Sequence, residues 1–188
     1  LIVGSPEADY EGRRNAGGIH VFRGVGGQGC PEVTERFVFT GRANDTIAYR
    51  VIALDDWTGD GISEIGVVSL SYGSNNWSAV LIVDGGQIGQ AMATAQEGDE
   101  ILLDANFVHT VLLDPLQTTN TLFGYALDTV DDLNGDGRKD LIVGSRYASP
   151  TTELRRGMAY VYFSSDDPQQ LVVPDIIIPG AAAAADSE

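Results

Sequence analysis

Two nine-residue stretches of the sequence concentrate oxygen donors: DWTGDGISE at 56–64 and DLNGDGRKD at 132–140. Both follow one scheme, acid-x-polar-Gly-Asp-Gly-x-x-acid. Side-chain oxygens at the first, third and fifth positions, followed by glycine, make a tight turn lined with hard donors. Glycine supplies the positive φ that such a turn needs. This donor set suits Ca²⁺, which takes about six to eight oxygens at ~2.3–2.6 Å. The expected ligands at the second stretch are the side chains of Asp132, Asn134, Asp136 and Asp140, with the backbone carbonyl of Arg138. At the first they are Asp56, Thr58, Asp60 and Glu64, with Ile62 at the backbone position. Thr58 offers a hydroxyl on a stiff β-branched side chain, a weaker donor than an amide carbonyl. Glu64 is one methylene longer than Asp140. The second stretch is therefore expected to hold Ca²⁺ more tightly than the first.

An EF-hand would need a bidentate Glu at about position 12 and flanking helices. Position 12 is Val143 counted from Asp132 and Val67 counted from Asp56, and both lie in strand-like runs. The stretches are instead nine-residue loops between strands. An Asx-rich hairpin turn without metal is the plainer alternative, since Asp, Asn and Gly favour turns in any case.

The elements that must position these loops are short apolar runs. They include GIHVF at 18–22, YRVIAL at 49–54, EIGVVSL at 64–70, AVLIV at 79–83, DLIVGS at 140–145 and AYVYF at 159–163. Each has strand length, is rich in Val, Ile or aromatics, and is bounded by turn residues. The best helix candidates are GQAMATAQEG at 89–98 and the alanine-rich tail. The pattern is all-β, and it repeats. The two acidic loops are 76 residues apart, and LIVGSPEADYEGRRNAGGIHVFRG from Leu1 is echoed by LIVGSRYASPTTELRRGMAYVYFSS from Leu141, 140 residues on. Repetition at such a period predicts stacked supersecondary units.

The stretch LFGYALDTVDDLNGDGRKDLIVGSRYAS resembles the FG-GAP repeat found in integrin alpha-subunit β-propellers. The FG is Phe123-Gly124, and the GAP position is Gly144-Ser145-Arg146, with Gly4-Ser5-Pro6 at the N-terminus. In the middle unit Ile47-Ala48 stands for Phe-Gly and Val68-Ser69-Leu70 for GAP. The resemblance fades at about 84–118. It implies four-stranded antiparallel blades, with the metal loop joining a blade's first two strands. It divides the chain into the back part of one blade (1–45), a degenerate blade with an insertion (46–118), a well-matched blade (119–175), and a further repeat or unordered tail (176–188). Two to three blades imply further blades from the same or another chain.

The net charge of −16, with Lys139 the single lysine, repels phosphate backbones and disfavours nucleic acid as a partner. No apolar run approaches the ~18 residues of a membrane span. One cysteine, Cys30, allows no internal disulfide, and its Gly-rich surroundings do not make it a catalytic thiol. The sequence lacks G-x-S-x-G, H-E-x-x-H and P-loop motifs, and His20 and His109 lie in strand-like runs. A binding module is expected rather than an enzyme. The resemblance implies an extracellular or cell-surface role in adhesion or in protein or glycan recognition. The alternatives are a structural repeat scaffold and the non-catalytic part of a secreted hydrolase or lyase. Asn44-Asp45-Thr46 and Asn76-Trp77-Ser78 match the N-glycosylation acceptor, and Trp57 and Trp77 are candidate exposed aromatics that could equally pack between blades.

Overall fold

The computed structural model describes residues 1–23, 36–117, 120–149, 156–165, 167 and 173–181. Cys30 and the tail from 182 lie outside the described residues.

Three four-stranded sheets form the described chain. The first runs in the order β1 (Ile2–Ser5), β2 (Gly18–Phe22), β3 (Arg36–Thr40), β7 (Glu100–Leu102). The second is β4 (Arg50–Leu54), β5 (Glu64–Tyr72), β6 (Trp77–Val83), β8 (Val108–Leu113), and the third is β9 (Phe123–Val130), β10 (Asp140–Ser145), β11 (Met158–Tyr162), β12 (Ile176–Pro179). The fold is all-β, as the alternating apolar runs require.

Three details differ from the sequence reading. The first sheet is not wholly antiparallel, because β7 pairs parallel with β3. That strand comes from the segment without family resemblance, which leaves the second sheet after β6, adds β7 to the first, and returns as β8. Ile176–Pro179 pairs with β11 as the fourth strand of the third sheet, so that sheet runs on past residue 175. The helix α1 spans Gly85–Thr94 rather than 89–98. Its start is fixed by Asp84, whose carboxylate accepts the Gln87 N–H at 2.9 Å and caps the first turn. Its end comes where Ala95 turns extended and Asp99 captures the Gln96 N–H at 2.8 Å.

The second sheet lies between the other two, and the period of two along its strands feeds both neighbours. Ile65, Val67, Leu81 and Val83 join a cluster with Ile19, Phe37 and Phe39 of the first sheet. Val68, Val80 and Ile82 join Phe123, Leu127, Leu141, Val143 and Tyr160 of the third. Trp57 is buried in this second cluster, so it packs between sheets and is no exposed ligand contact, while Trp77 is half-buried. Each large aliphatic side chain so buried contributes up to ~1.5–3 kcal/mol.

Phe123-Gly124 shows why that pair is written as it is. Phe123 is wholly buried, and Gly124 has φ 84°. A Cβ at Gly124 would stand 2.7 Å from Val68 Cγ1 of the second sheet, so only glycine lets the sheets approach there. In the middle unit Ile47 is likewise buried, and Ala48 takes the same left-handed conformation at φ 66°. Alanine thus does glycine's work under strain of about 1–2 kcal/mol.

Two substitutions test this. Gly124→Ala should lower stability by about 2–4 kcal/mol, from strain and overpacking together. Ala48→Gly should be neutral or up to about 1 kcal/mol more stable, since relief of strain is partly offset by a freer unfolded chain. Thermal melts of the two variants read both effects.

Candidate metal centre

Both acidic stretches fold as loops between the first two strands of a sheet, Asp56–Glu64 between β4 and β5 and Asp132–Asp140 between β9 and β10. Their hydrogen bonds match at the 76-residue offset. Asp132 accepts the Gly135 N–H at 2.5 Å on Oδ1 and the Gly137 N–H at 2.8 Å on Oδ2. Asp56 accepts the Gly59 N–H at 2.8 Å and the Gly61 N–H at 3.0 Å on the same two atoms. Asp136 takes the Arg138 N–H at 2.9 Å, as Asp60 takes the Ile62 N–H at 2.8 Å. The four glycines all have φ between 81° and 88°. The offset extends to the GAP-position serines, where Ser145 Oγ donates to the Thr121 carbonyl and Ser69 Oγ to the Asp45 carbonyl.

The closing acid of each loop starts the second strand from inside the protein. Asp140 is fully buried and Glu64 is 1 % exposed. Asp140 is satisfied on both oxygens, by the Leu133 N–H at 2.7 Å and the Ser164 N–H at 3.0 Å. Glu64 is not. Its Oε2 accepts the Thr58 N–H at 3.0 Å, but its Oε1 is buried with no hydrogen-bond partner. A carboxylate oxygen left so costs free energy unless a cation or a proton meets it. Burial pushes Glu64 up to about 7, against lowering by the Thr58 and Trp57 N–H groups, with Asp60 and Asp56 adding to the rise.

The second loop has a clamp that the sequence reading missed. Ser164, just past β11, donates its hydroxyl to Asp136 at 2.9 Å as well as its N–H to Asp140. Burial alone would raise Asp136. The Arg138 N–H, Ser164, Asn134 and the Arg138 guanidinium outweigh it and hold the carboxyl at about 2. At the first loop the start of α1 closes in instead, and a Cβ at Gly85 would meet the Ser63 carbonyl oxygen at 2.0 Å. No residue-level pattern marked Ser164, because its role depends on β11 lying beside β10.

The loops also touch each other. Lys139 Nζ lies 2.8 Å from Asp55 Oδ2, and the Arg138 guanidinium lies over Gly59. Ile62 is exposed. Among the described residues no group of three or more His, Cys, Asp and Glu side chains is already arranged to hold a metal ion. The carboxylates bond backbone N–H groups of their own loops. The hard-oxygen donor set and the partnerless Glu64 Oε1 still fit a divalent cation such as Ca²⁺. The other singled-out residues lie elsewhere. His20 Nε2 is 2.9 Å from Ser5 Oγ and 3.1 Å from the Tyr10 hydroxyl, and His109 Nδ1 is 3.1 Å from Thr110 Oγ1.

The loop between two antiparallel strands, the buried Phe-Gly before it and the Gly-Ser after it are thus one structural unit. Residues 123–162 match the FG-GAP repeat. That match takes in Phe123-Gly124, all of the Asp132–Asp140 loop and the Gly144-Ser145 turn. No curated protein matches the chain.

Glu64 gives this site a pH signature. Its folded-state pKa of about 7 lies above its ordinary 4.5, so the metal-free folded state holds the extra proton. That contribution is present below pH 4.5 and lost as pH rises through 7, by no more than about 3 kcal/mol. In chelator, wild-type melting temperature should fall across this window. Glu64→Gln should flatten the fall, and an equally steep variant would show that another group sets it.

Proposed function

We propose that this chain is a calcium-stabilised segment of a β-propeller, serving recognition at or outside the cell surface. The observation that carries the metal reading is the shared design of the two loops, each closed by an acid buried at the start of its second strand. Ca²⁺ would be held by Asp132, Asn134, Asp136, Asp140 and the Arg138 carbonyl, and by Asp56, Thr58, Asp60, Glu64 and the Ile62 carbonyl. Bound there, it would neutralise carboxylates that otherwise repel one another across a hairpin. The protein's own residues preform the loop through the backbone bonds described above.

Support for the propeller comes from the FG-GAP match and from three sheets stacked face to face. The face of the third sheet turned away from the second is partly apolar. Ile142, Gly144 and Ala159, with Arg50 and Asp128 at its rim, line a hollow of about 320 Å³, and beyond them Ile176 and Ile178 are 40 % and 49 % exposed. Further blades, from this or another polypeptide, would cover that face. That FG-GAP repeats are typical of extracellular proteins supports placement outside the cell. The reading of the densest acids as structural loops favours binding over catalysis. The exposed isoleucine row favours a second reading, a repeat scaffold within a large surface assembly, because open sheet edges invite continued stacking.

Calcium titration by calorimetry, with Asp136→Ala and Asp60→Ala, tests the metal reading. Wild type should show two classes of site, the tighter lost in Asp136→Ala and the weaker in Asp60→Ala, with affinities near ~10⁻⁴–10⁻³ M. Melting temperature should rise with Ca²⁺. Equal affinities at the two loops would reverse their ranking, and a melting temperature indifferent to chelator would remove the metal.

A further inference from the structure

The ends of the sheets opposite the acidic loops are built from different chemistry. A cleft of about 660 Å³ opens there, within the ~300–1,000 Å³ of small-ligand sites. Asn15, Asn44, Asn76 and Asn120 line it, one from each of the β1–β2, β3–β4, β5–β6 and β8–β9 connections. On a chain of net charge −16, no charged side chain lines it among the described residues.

The backbone around the cleft is strained. Asn15, Asn44, Asn76 and Asn120 have φ of 48°, 66°, 52° and 62°. Asparagine tolerates the left-handed region, so these four alone could be turn residues. Thr46 at φ 49° and Leu122 at φ 53° line the same cleft in the same region. A β-branched or bulky residue there is a genuine outlier. Glycine would relieve every one of these positions, and the chain spends 23 glycines elsewhere. Residues so held are destabilising and cluster at ligand sites.

We infer that this cleft binds a neutral oligosaccharide. The carboxamides of Asn15, Asn44 and Asn120 make no hydrogen bond among the described residues, while Asn76 accepts one from Ser71 at 3.2 Å. Each carboxamide presents a donor pair and an acceptor side by side, which suits the neighbouring hydroxyls of a sugar. Leu70 and Leu122 add apolar surface for the C–H face of a ring. The described lining holds no charged side chain to compensate a phosphate, a carboxylate or an ammonium group. The amides come from four separate loops rather than from a strand edge, the element that reads an extended peptide. The inference deepens the recognition part of the proposed function and needs no metal.

The test is calorimetry on the full 188-residue chain, with trisaccharides of glucose, mannose, galactose and N-acetylglucosamine as probes and an uncharged polar hexapeptide as competitor. One trisaccharide should bind. The Asn44→Gly/Asn120→Gly double variant should bind it on the order of tenfold or more weakly. Its melting temperature should be unchanged or raised, because glycine relaxes both positions and only the amides are lost. Heat with the peptide alone, no heat with any trisaccharide, or undiminished binding by the variant would overturn the inference. So would a covalent glycan on Asn44 or Asn76 of the native protein, since both acceptor triplets lie at the cleft. Saccharide heat and the calcium response of the melt are read separately, so failure of the metal reading leaves this result intact, and the reverse.

Discussion

The burial of both faces of the central sheet is the constraint on which everything else depends. Strands β5 and β6 send alternate side chains into two different cores, and neither core closes without them. A one-residue slip in either strand would exchange the two sets and spoil both. This explains why the sheets approach closely enough at Gly124 to exclude a single methyl group. It also explains why Ala48 is held in a conformation that alanine avoids.

With the sheets fixed in this way, their two ends are free to specialise. At one end the acidic loops stand side by side, joined by Lys139 to Asp55 and by Arg138 over Gly59. The carboxylates of Asp60, Asp132 and Asp136 are exposed and that of Asp56 is half-buried, but both ninth-position acids are buried, so each loop is anchored in the core at its closing residue. The opposite end carries neutral amides and hydroxyls on strained loops. Hard anionic donors at one end and neutral donor–acceptor groups at the other are suited to different partners. The rigid sheets between them hold each set in place.

Much of this was legible in the sequence, for physical reasons that can be named. The all-β class followed from apolar runs of strand length, and the acidic loops followed from the spacing of Asp, Asn and Gly, because both signals are local. The unit at 123–162 was legible through its FG and acidic-loop residues. What escaped was non-local. Strand β7 joins the first sheet from a segment sixty residues after β3, and an apolar run of strand length does not say which sheet it will join. Ser164 acts only because β11 lies beside β10. Asp84 is an ordinary N-cap whose position shifted the helix four residues from its apolar pattern. The cleft was illegible because its asparagines are scattered singly along the chain and meet only when three sheets are stacked.

Hydrogen–deuterium exchange, with and without Ca²⁺, tests the central claim most directly, because it reads the core and the loops in one experiment. The slowest amides should lie in β5 and β6 under both conditions, since those strands are covered on both faces. The loop amides of Gly59, Gly61, Gly135 and Gly137 should exchange readily in chelator and become protected in Ca²⁺, with the 132–140 loop protected at the lower concentration. Loop exchange unchanged by Ca²⁺, or fast exchange throughout β5 and β6, would contradict a calcium-held loop seated on a doubly buried sheet.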